Sequence, residues 1–391
     1  MSILTNFNNF SNKSYLKEEH HIFRKSVRKF LEKEALPYFE RWEEEKLVPH
    51  SFWRKMGEQG FLCPWIDQKY GGFNADYGYS VVIREEVTKI GTGLSGTTVH
   101  SDVIVPYIDR YGKEEQKKRW LPGAVSGDII TAIAMTEPGT GSDLASVRTT
   151  AVRIGDHYII NGAKTFITNG INGNLFIVVC KTDLDAVPAY KGISLIVVED
   201  GTPGFSKGKQ LKKLGLHSSD TAELIFEDVE VPVGNLLGEE NNGFYYLMEK
   251  LQQERLAMTI AAITSAERML EITMNYVKER KVFGQSLSKF QNTQFKLAEL
   301  ATEIQIGRTF VDNLIQKHMA GVDIVTEVSM AKWWVSDLAK KAATECLQLH
   351  GGYGFMEEYE IARRYRDAAV GSIYGGSNEI MKVVIAKNLG L

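Results

Sequence analysis

Residues 157–198 read HYIINGAKTFITNGINGNLFIVVCKTDLDAVPAYKGISLIVV, and this pattern sets the chain apart from an all-helical protein. Tyr158-Ile159-Ile160, 175–179 and 193–198 are short runs rich in β-branched and apolar residues. Asn161-Gly162, Asn169-Gly170 and Asn172-Gly173 punctuate them. Such dipeptides suit turns of an antiparallel sheet, because Asn and Gly accept positive φ. The β character extends over 129–237. Upstream, 17–35 and 77–90 read as helices. Downstream, all nine prolines lie at or before Pro232, and Pro costs about 3 kcal/mol inside a helix. Segments 241–280, 287–319 and 325–349 are rich in helix formers at helical apolar spacing. The expected class is α+β, mostly α. An N-terminal helical domain spans 1–128, a central antiparallel β-domain 129–237 and a C-terminal helical bundle 238–391.

Composition narrows the function. The 391 residues suit two or three domains. A formal charge of −3 gives no basic face for nucleic acid. Cys63, Cys180 and Cys346 are scattered without CxxC spacing, as expected of reduced thiols. No apolar run approaches the ~18 residues of a membrane span. The start, MSILTNFNNFSNKSYLKEE, has neither a signal-peptide core nor a transit-peptide pattern. A cytoplasmic protein is therefore expected. Internal repeats and low-complexity segments are absent from the sequence.

Several chemistries are excluded by spacing. Gly139 and Gly141 lack the third glycine of a dinucleotide-binding turn. The run Gly91-Thr92-Gly93-Leu94-Ser95-Gly96 lacks the Lys-Ser/Thr ending of a phosphate loop. The eight histidines never take HExxH spacing, His20-His21 reads as a solvated surface pair, and no GxSxG elbow is present. Metal catalysis, a nicotinamide fold and serine hydrolysis all lose support.

One position stands out physically. Leu247, Leu251, Glu254, Met258 and Ala261 share a helix face, and Glu254 interrupts the apolar stripe. Burial raises a carboxyl pKa toward the range of a neutral-pH base. An ion pair with Arg255 or another cation is the structural alternative.

The segment 134–143, AMTEPGTGSD, followed by 161–170, NGAKTFITNG, resembles two signatures of the acyl-CoA dehydrogenase family. Arg280-Lys281-Val282-Phe283-Gly284, then 348–354 (QLHGGYG) and 373–380 (IYGGSNEI), follow in family order. These five motifs span nearly the whole chain. The resemblance implies a helical domain, a β-domain and a four-helix bundle, with FAD as cofactor and a homotetramer built as a dimer of dimers. It implies that Met135, Thr136, Gly141 and Ser142 hold the flavin ring and its pyrophosphate. Phe166, Ile167 and Thr168 would lie against the ring, Thr168 near the hydride-accepting nitrogen. Phe166 stands where many relatives carry Trp. Arg280, Phe283, Gln291, Gln348, Gly351 and Gly352 would contact the adenosine diphosphate half, partly from a neighbouring subunit, with Ser377 and Glu379 completing the set.

Most members of that family carry the catalytic Glu where this chain has Gly375. A minority branch, resembling long-chain and isovaleryl-CoA dehydrogenases, places the base on a bundle helix before an Arg, and Glu254-Arg255 matches it. Glu254 would take the α-proton, and the Gly375 N–H would polarise the thioester carbonyl, with Arg255 positioning the base. Ser142, Leu251, Arg255, Tyr374 and Gly376 would meet the substrate. The implied activity is dehydrogenation of a medium- to long-chain acyl-CoA to the trans-2-enoyl-CoA, with electrons passed to an electron-transferring flavoprotein. The same motifs suit a carrier-bound acyl or aminoacyl thioester. Compact length argues against the larger oxidases. Gly375 alone would support a non-catalytic acyl-binding protein.

Overall fold

The computed structural model describes residues 13–91 and 93–391. The opening MSILTNFNNFSN and Thr92 of the glycine-rich run lie outside the described residues. The helical–β–helical order of the sequence reading is the order observed.

The first helical unit contains α1 (Glu18–Glu34), α2 (Phe39–Glu45), α3 (His50–Glu58), α4 (Tyr77–Ile90) and α5 (Ser95–Val99). A π-helical turn at His100–Ile104 leads into α6 (Val105–Tyr111), and α7 (Glu114–Ser126) ends the unit. Local chemistry sets the ends of α4. Asp76 accepts the Gly78 N–H at its start, and Gly91 closes it at φ +64°. Val27, Leu31, Phe52, Trp53, Met56 and Phe61 form the core of this unit. His20 corrects the sequence reading. It is fully buried, accepting the Lys17 N–H at 2.9 Å and pairing with Asp76 at 2.9 Å. Its ring ties the start of α1 to the start of α4, which sequence adjacency to exposed His21 could not reveal.

The middle unit is one sheet in the order β1 (Thr131–Ala134), β4 (Leu175–Lys181), β2 (Thr150–Ile154), β3 (His157–Thr168), β7 (Thr221–Pro232), β6 (Phe205–Gln210), with β5 (Ile193–Glu199) also on β4. β4 and β5 are buried on both faces, which is why they read as unbroken apolar runs. The expectation of a purely antiparallel sheet needs correction. β1 runs parallel to β4, and Thr150 of β2 meets Lys181 of β4 in a parallel pairing. Turn residues show where a chain reverses, not which strand it then joins. Asn161-Gly162 is likewise no turn. It lies inside β3 at a register shift, where a Cβ on Gly162 would meet Thr149 Oγ1 at 2.5 Å.

The bundle comprises α8 (Gly243–Glu279), α9 (Gln291–Met319) and α10 (Val325–His350), with the fourth helix broken into α11 (Glu360–Ala368) and α12 (Asn378–Asn388). α8 starts against β5, where Gly243 leaves no room for a Cβ beside Ser194. Val81 and Val82 of α4 pack with Leu256, Ile260 and Ile263 of α8 in one apolar cluster. No helix among the described residues is long and apolar enough to cross a membrane. The three cysteines are free and buried.

A buried charge cluster fastens the first unit to the bundle. Arg308 of α9 donates to Glu85 of α4 at 3.0 Å, to both Glu267 oxygens of α8 at 2.7 Å and to Thr264 at 3.0 Å. Lys13 and Arg24 also reach Glu85. Removing one partner of such a network strands buried charge, at about 3–5 kcal/mol. Arg308→Met is expected to lower unfolding stability by that amount in a denaturant titration. A loss below about 1 kcal/mol would show that the cluster is not what holds α4 on the bundle.

Candidate active site

Glu254 lies near the start of α8 and is buried. Its Oε1 accepts the Tyr107 hydroxyl at 2.7 Å. Burial pushes the carboxyl up to about 7, against the opposing pull of the Tyr107 bond and of the Arg255 and Lys250 charges. The alternative of a close ion pair is not realised among the described residues. Arg255 donates from Nη1 to Ser329 at 3.3 Å, and its Nε has no partner. The stripe through Glu254 also differs from a core face. Leu247 is fully buried, but Leu251, Met258 and Ala261 are only half-buried, so an apolar strip borders the carboxyl without being sealed by protein.

The loop with Tyr374, Gly375 and Gly376 lies over this strip. Gly375 has φ +61°, and a Cβ there would sit 2.0 Å from the Met258 sulfur, one turn along from Glu254. Gly376 has φ +86°, and its carbonyl accepts the Lys332 Nζ at 2.6 Å. Burial lowers the Lys332 amine to about 8, with the Arg255 charge adding to the effect. Lys332 also reaches Asn378 Oδ1, and the Ser377 hydroxyl caps α12 by accepting the Ile380 N–H. Glu379 stands exposed in that first turn. Gly375 and Gly376, with Tyr374 beside them in the chain, thus come up to α8 one turn from Glu254 and Arg255.

Met135, Thr136, Gly141 and Ser142 form the loop after β1, and Phe166, Ile167 and Thr168 end β3. Glu137 and Lys164 join the two, and the sequence reading did not assign either a role. Lys164 Nζ donates to Glu137 at 2.8 Å and to the Met135 carbonyl at 3.1 Å. Glu137 also accepts the N–H groups of Arg148 and Thr149 and the Thr149 hydroxyl. The Thr165 N–H closes the arrangement on the Thr136 carbonyl at 2.9 Å. Beside this staple, β3 bulges between Lys164 and Ile167. The bulge puts Phe166 at φ +60° with its side chain 68% exposed. The positive φ of a bulky residue is backbone strain, held here by a strand that the staple fixes. Gly141 and Ser142 lie in the loop after β1, with nothing within 4 Å of where a Cβ on Gly141 would sit.

A third group gathers elsewhere. Arg280, Gln348, Gly351 and Gly352 line a hollow of about 580 Å³ beyond the end of α8. The Arg280 guanidinium lies 5.4 Å over the Tyr353 ring. Phe283 is 97% exposed, and Gln291 opens α9 at the surface. At a 1.5 Å rise per residue, Arg280 stands about 39 Å along the helix axis from Glu254. A single protomer does not bring this group to Glu254.

The Glu137–Lys164 pair gives a direct check on the second group. Lys164→Met leaves Glu137 buried without its cation and is expected to cost about 3–5 kcal/mol in thermal unfolding. Amide exchange at Thr149 and Thr165 should accelerate with it. Unchanged exchange at both amides would mean that the staple does not hold the loop.

Comparison with known proteins places the whole molecule. Models of the acyl-CoA dehydrogenase N-terminal, middle and C-terminal domains match residues 17–128, 132–229 and 241–390. The long-chain specific acyl-CoA dehydrogenase of Rattus norvegicus mitochondria is 49% identical over 371 residues, covering 95% of this chain and 86% of that protein. The crystal structure of an acyl-CoA dehydrogenase from Geobacillus kaustophilus is 63% identical, with a TM-score of 0.96, over 96% of this chain and 99% of that one. A glutaryl-CoA dehydrogenase from Mycobacterium smegmatis in complex with FADH2 is 30% identical, with a TM-score of 0.90, over 97% and 96% of the two chains. With all three family models matched in order over nearly the whole chain, and a relative 49% identical over 95% of it, the chain belongs to the acyl-CoA dehydrogenase family.

Proposed function

We propose that this acyl-CoA dehydrogenase acts on straight medium- to long-chain acyl-CoA, giving the trans-2-enoyl-CoA, with Glu254 as the base that removes the α-proton. The observation that carries the reading is the placement of Glu254. Its carboxyl is buried, raised to about 7, and bordered by the half-buried Leu251, Met258 and Ala261. A base with that value is about half ionised at neutral pH and still strong enough to accept a proton. The Gly375 N–H would donate to the thioester carbonyl, because an unactivated α-proton is far too weak an acid for a carboxylate. The 49% identity to a long-chain specific relative supports the chain-length class.

The cofactor of this enzyme is FAD, which supplies the hydride acceptor for the β-hydrogen. The residues fit it. The exposed Phe166 ring, with Ile167 and Thr168, would lie against the flavin, and Met135, Thr136, Gly141 and Ser142 would border it. Arg280, Phe283, Gln291, Gln348, Gly351 and Gly352 would contact the adenosine diphosphate half, partly from a neighbouring subunit, since Arg280 stands about 39 Å along the helix axis from Glu254 within one protomer. Ser377 and Glu379 would complete that contact. A homotetramer follows as the proposed assembly. An electron-transferring flavoprotein is the proposed acceptor, and the cytoplasm the proposed location.

Anaerobic titration of the yellow protein with acyl-CoAs from short to long tests the reading. Bleaching is expected with the medium and long chains. Bleaching by none would defeat the CoA assignment and turn attention to carrier-bound thioesters. Glu254→Gln keeps an acceptor for Tyr107 while removing the base, and flavin reduction should fall by about 10²–10⁴-fold. The same change should affect stability. The folded-state value of about 7 lies above the ordinary 4.5. The neutral carboxyl therefore favours the fold most at low pH, and that contribution is lost as pH rises from about 4.5 through about 7. At pH 8 Glu254→Gln should consequently be more stable than wild type, by up to about 3 kcal/mol. Lower stability at pH 8 would contradict the buried, strained carboxylate.

A further inference from the structure

We propose that Tyr107 is a positioning residue for the base, holding one oxygen of Glu254 so that the other faces the substrate carbon. This inference rests on Glu254 being the base. Its grounds are geometric. The Tyr107 side chain is fully buried, and its hydroxyl reaches Glu254 Oε1 at 2.7 Å from a segment 147 residues away. A carboxylate on a flexible Glu side chain would otherwise sample several rotamers. One short bond to Oε1 leaves Oε2 as the oxygen free to accept the α-proton.

The segment carrying Tyr107 is itself fixed to the neighbour of the base. Pro106 has no N–H, so it cannot satisfy the Asp102 carbonyl four residues back in the usual helical way. That carbonyl accepts Gln253 Nε2 at 2.8 Å instead. Gln253 precedes Glu254 in α8, so two bonds in adjacent positions stitch α6 to the base. The π-helical turn at His100–Ile104 immediately before α6 shifts the register of the segment, as π-turns at functional sites do. The Asp102 carboxylate is anchored in turn by Arg84 at 2.9 Å, and the His100 ring by Thr131 of β1 at 2.8 Å. The base is thereby referenced to the β-unit as well as to the bundle.

Burial and the nearby Glu254 charge hold the Tyr107 hydroxyl well above its ordinary range, so it remains a donor and does not compete as a base. The other charged or titratable groups around this pair are Lys250 and Arg255 on α8, Tyr111 on α6 and Lys332 beyond Arg255. Lys250 and Arg255 stabilise the Glu254 carboxylate whether or not Tyr107 is present. A bond from a neutral hydroxyl to a carboxylate favours the charged form, and its loss should raise the base by about one pH unit, about tenfold in ionised fraction below that value.

The test compares wild type and Tyr107→Phe, both carrying FAD, by infrared titration of the carboxyl band, with Glu254→Gln as the blank. In parallel, kcat and KM for the best acyl-CoA are followed across pH. The expected result is an upward move of the Glu254 titration and of the acidic limb of kcat by about one unit. Turnover should be lower at every pH, because the carboxylate is no longer held in one rotamer, with a further loss of about tenfold near pH 6 and KM little changed. Wild-type turnover at high pH, or an unmoved titration, would overturn the positioning role and leave Tyr107 as packing. Should Tyr107→Phe fail to fold, Gln253→Met loosens the same stitch from the other side. A smaller shift in the same direction is then expected, and no shift would overturn the proposal. Because the infrared band reports Glu254 without turnover, a failure of the substrate assignment shows up separately from a failure of this inference.

Discussion

A carboxylate buried without a close cationic partner is costly, and the site is organised around keeping one. Glu254 sits on an apolar stripe, and its compensation is a single neutral hydroxyl at 2.7 Å and two more distant positive charges. An ion pair at contact distance would hold the group ionised and make it a weak base. Full burial with no donor would hold it neutral and make it no base at near-neutral pH. Burial set against the Tyr107 bond and the Arg255 and Lys250 charges puts Glu254 between these limits, and that depends on the three groups staying where they are. The buried charge cluster around Arg308 therefore matters beyond stability, because it fixes α4 and α9 on α8, the helix that carries Glu254.

The β-unit contributes rigidity to the same end. Glu137 and Lys164 lock the loop after β1 to β3, and the adjacent bulge turns Phe166 outward. Asn169 donates to the carbonyls of Gly96 and Thr131, and His100 bonds Thr131, so the end of the sheet touches the segment that carries Tyr107. The surface expected to face the flavin and the group expected to take the proton are built on one connected framework. The glycines at 375 and 376 close it from the bundle side, where positive φ, with the Met258 side chain at Gly375 and the Met381 side chain at Gly376, leaves little room for any other residue.

Much of this was legible in the sequence. Proline placement and helical spacing gave the long bundle helices, and alternating runs with Asn-Gly punctuation gave the β-unit, because both depend on local periodicity. Glu254 was visible as a charge on an apolar stripe for the same reason. The rest depended on contacts between distant segments. Tyr107 carries no local mark of its role and becomes significant only when α6 folds against α8. Glu137 and Lys164 were inside quoted motifs, yet their function requires the strand bulge that brings them together. Asn161-Gly162 was misread as a turn because the same dipeptide serves a bulge when a neighbour such as Thr149 presses against the glycine. His20 was misread because its partner, Asp76, comes from another helix.

Exchange of the substrate α-hydrogen with solvent tests the central assignment most directly. The enzyme would be incubated in heavy water with an acyl-CoA under anaerobic conditions, and deuterium at the α-carbon followed by mass spectrometry for wild type and Glu254→Gln. The account predicts ready incorporation by wild type that increases as pH rises through about 7, and almost none by the variant. Incorporation by Glu254→Gln at the wild-type rate would show that another group takes the proton, and the assignment of Glu254 as base would be wrong.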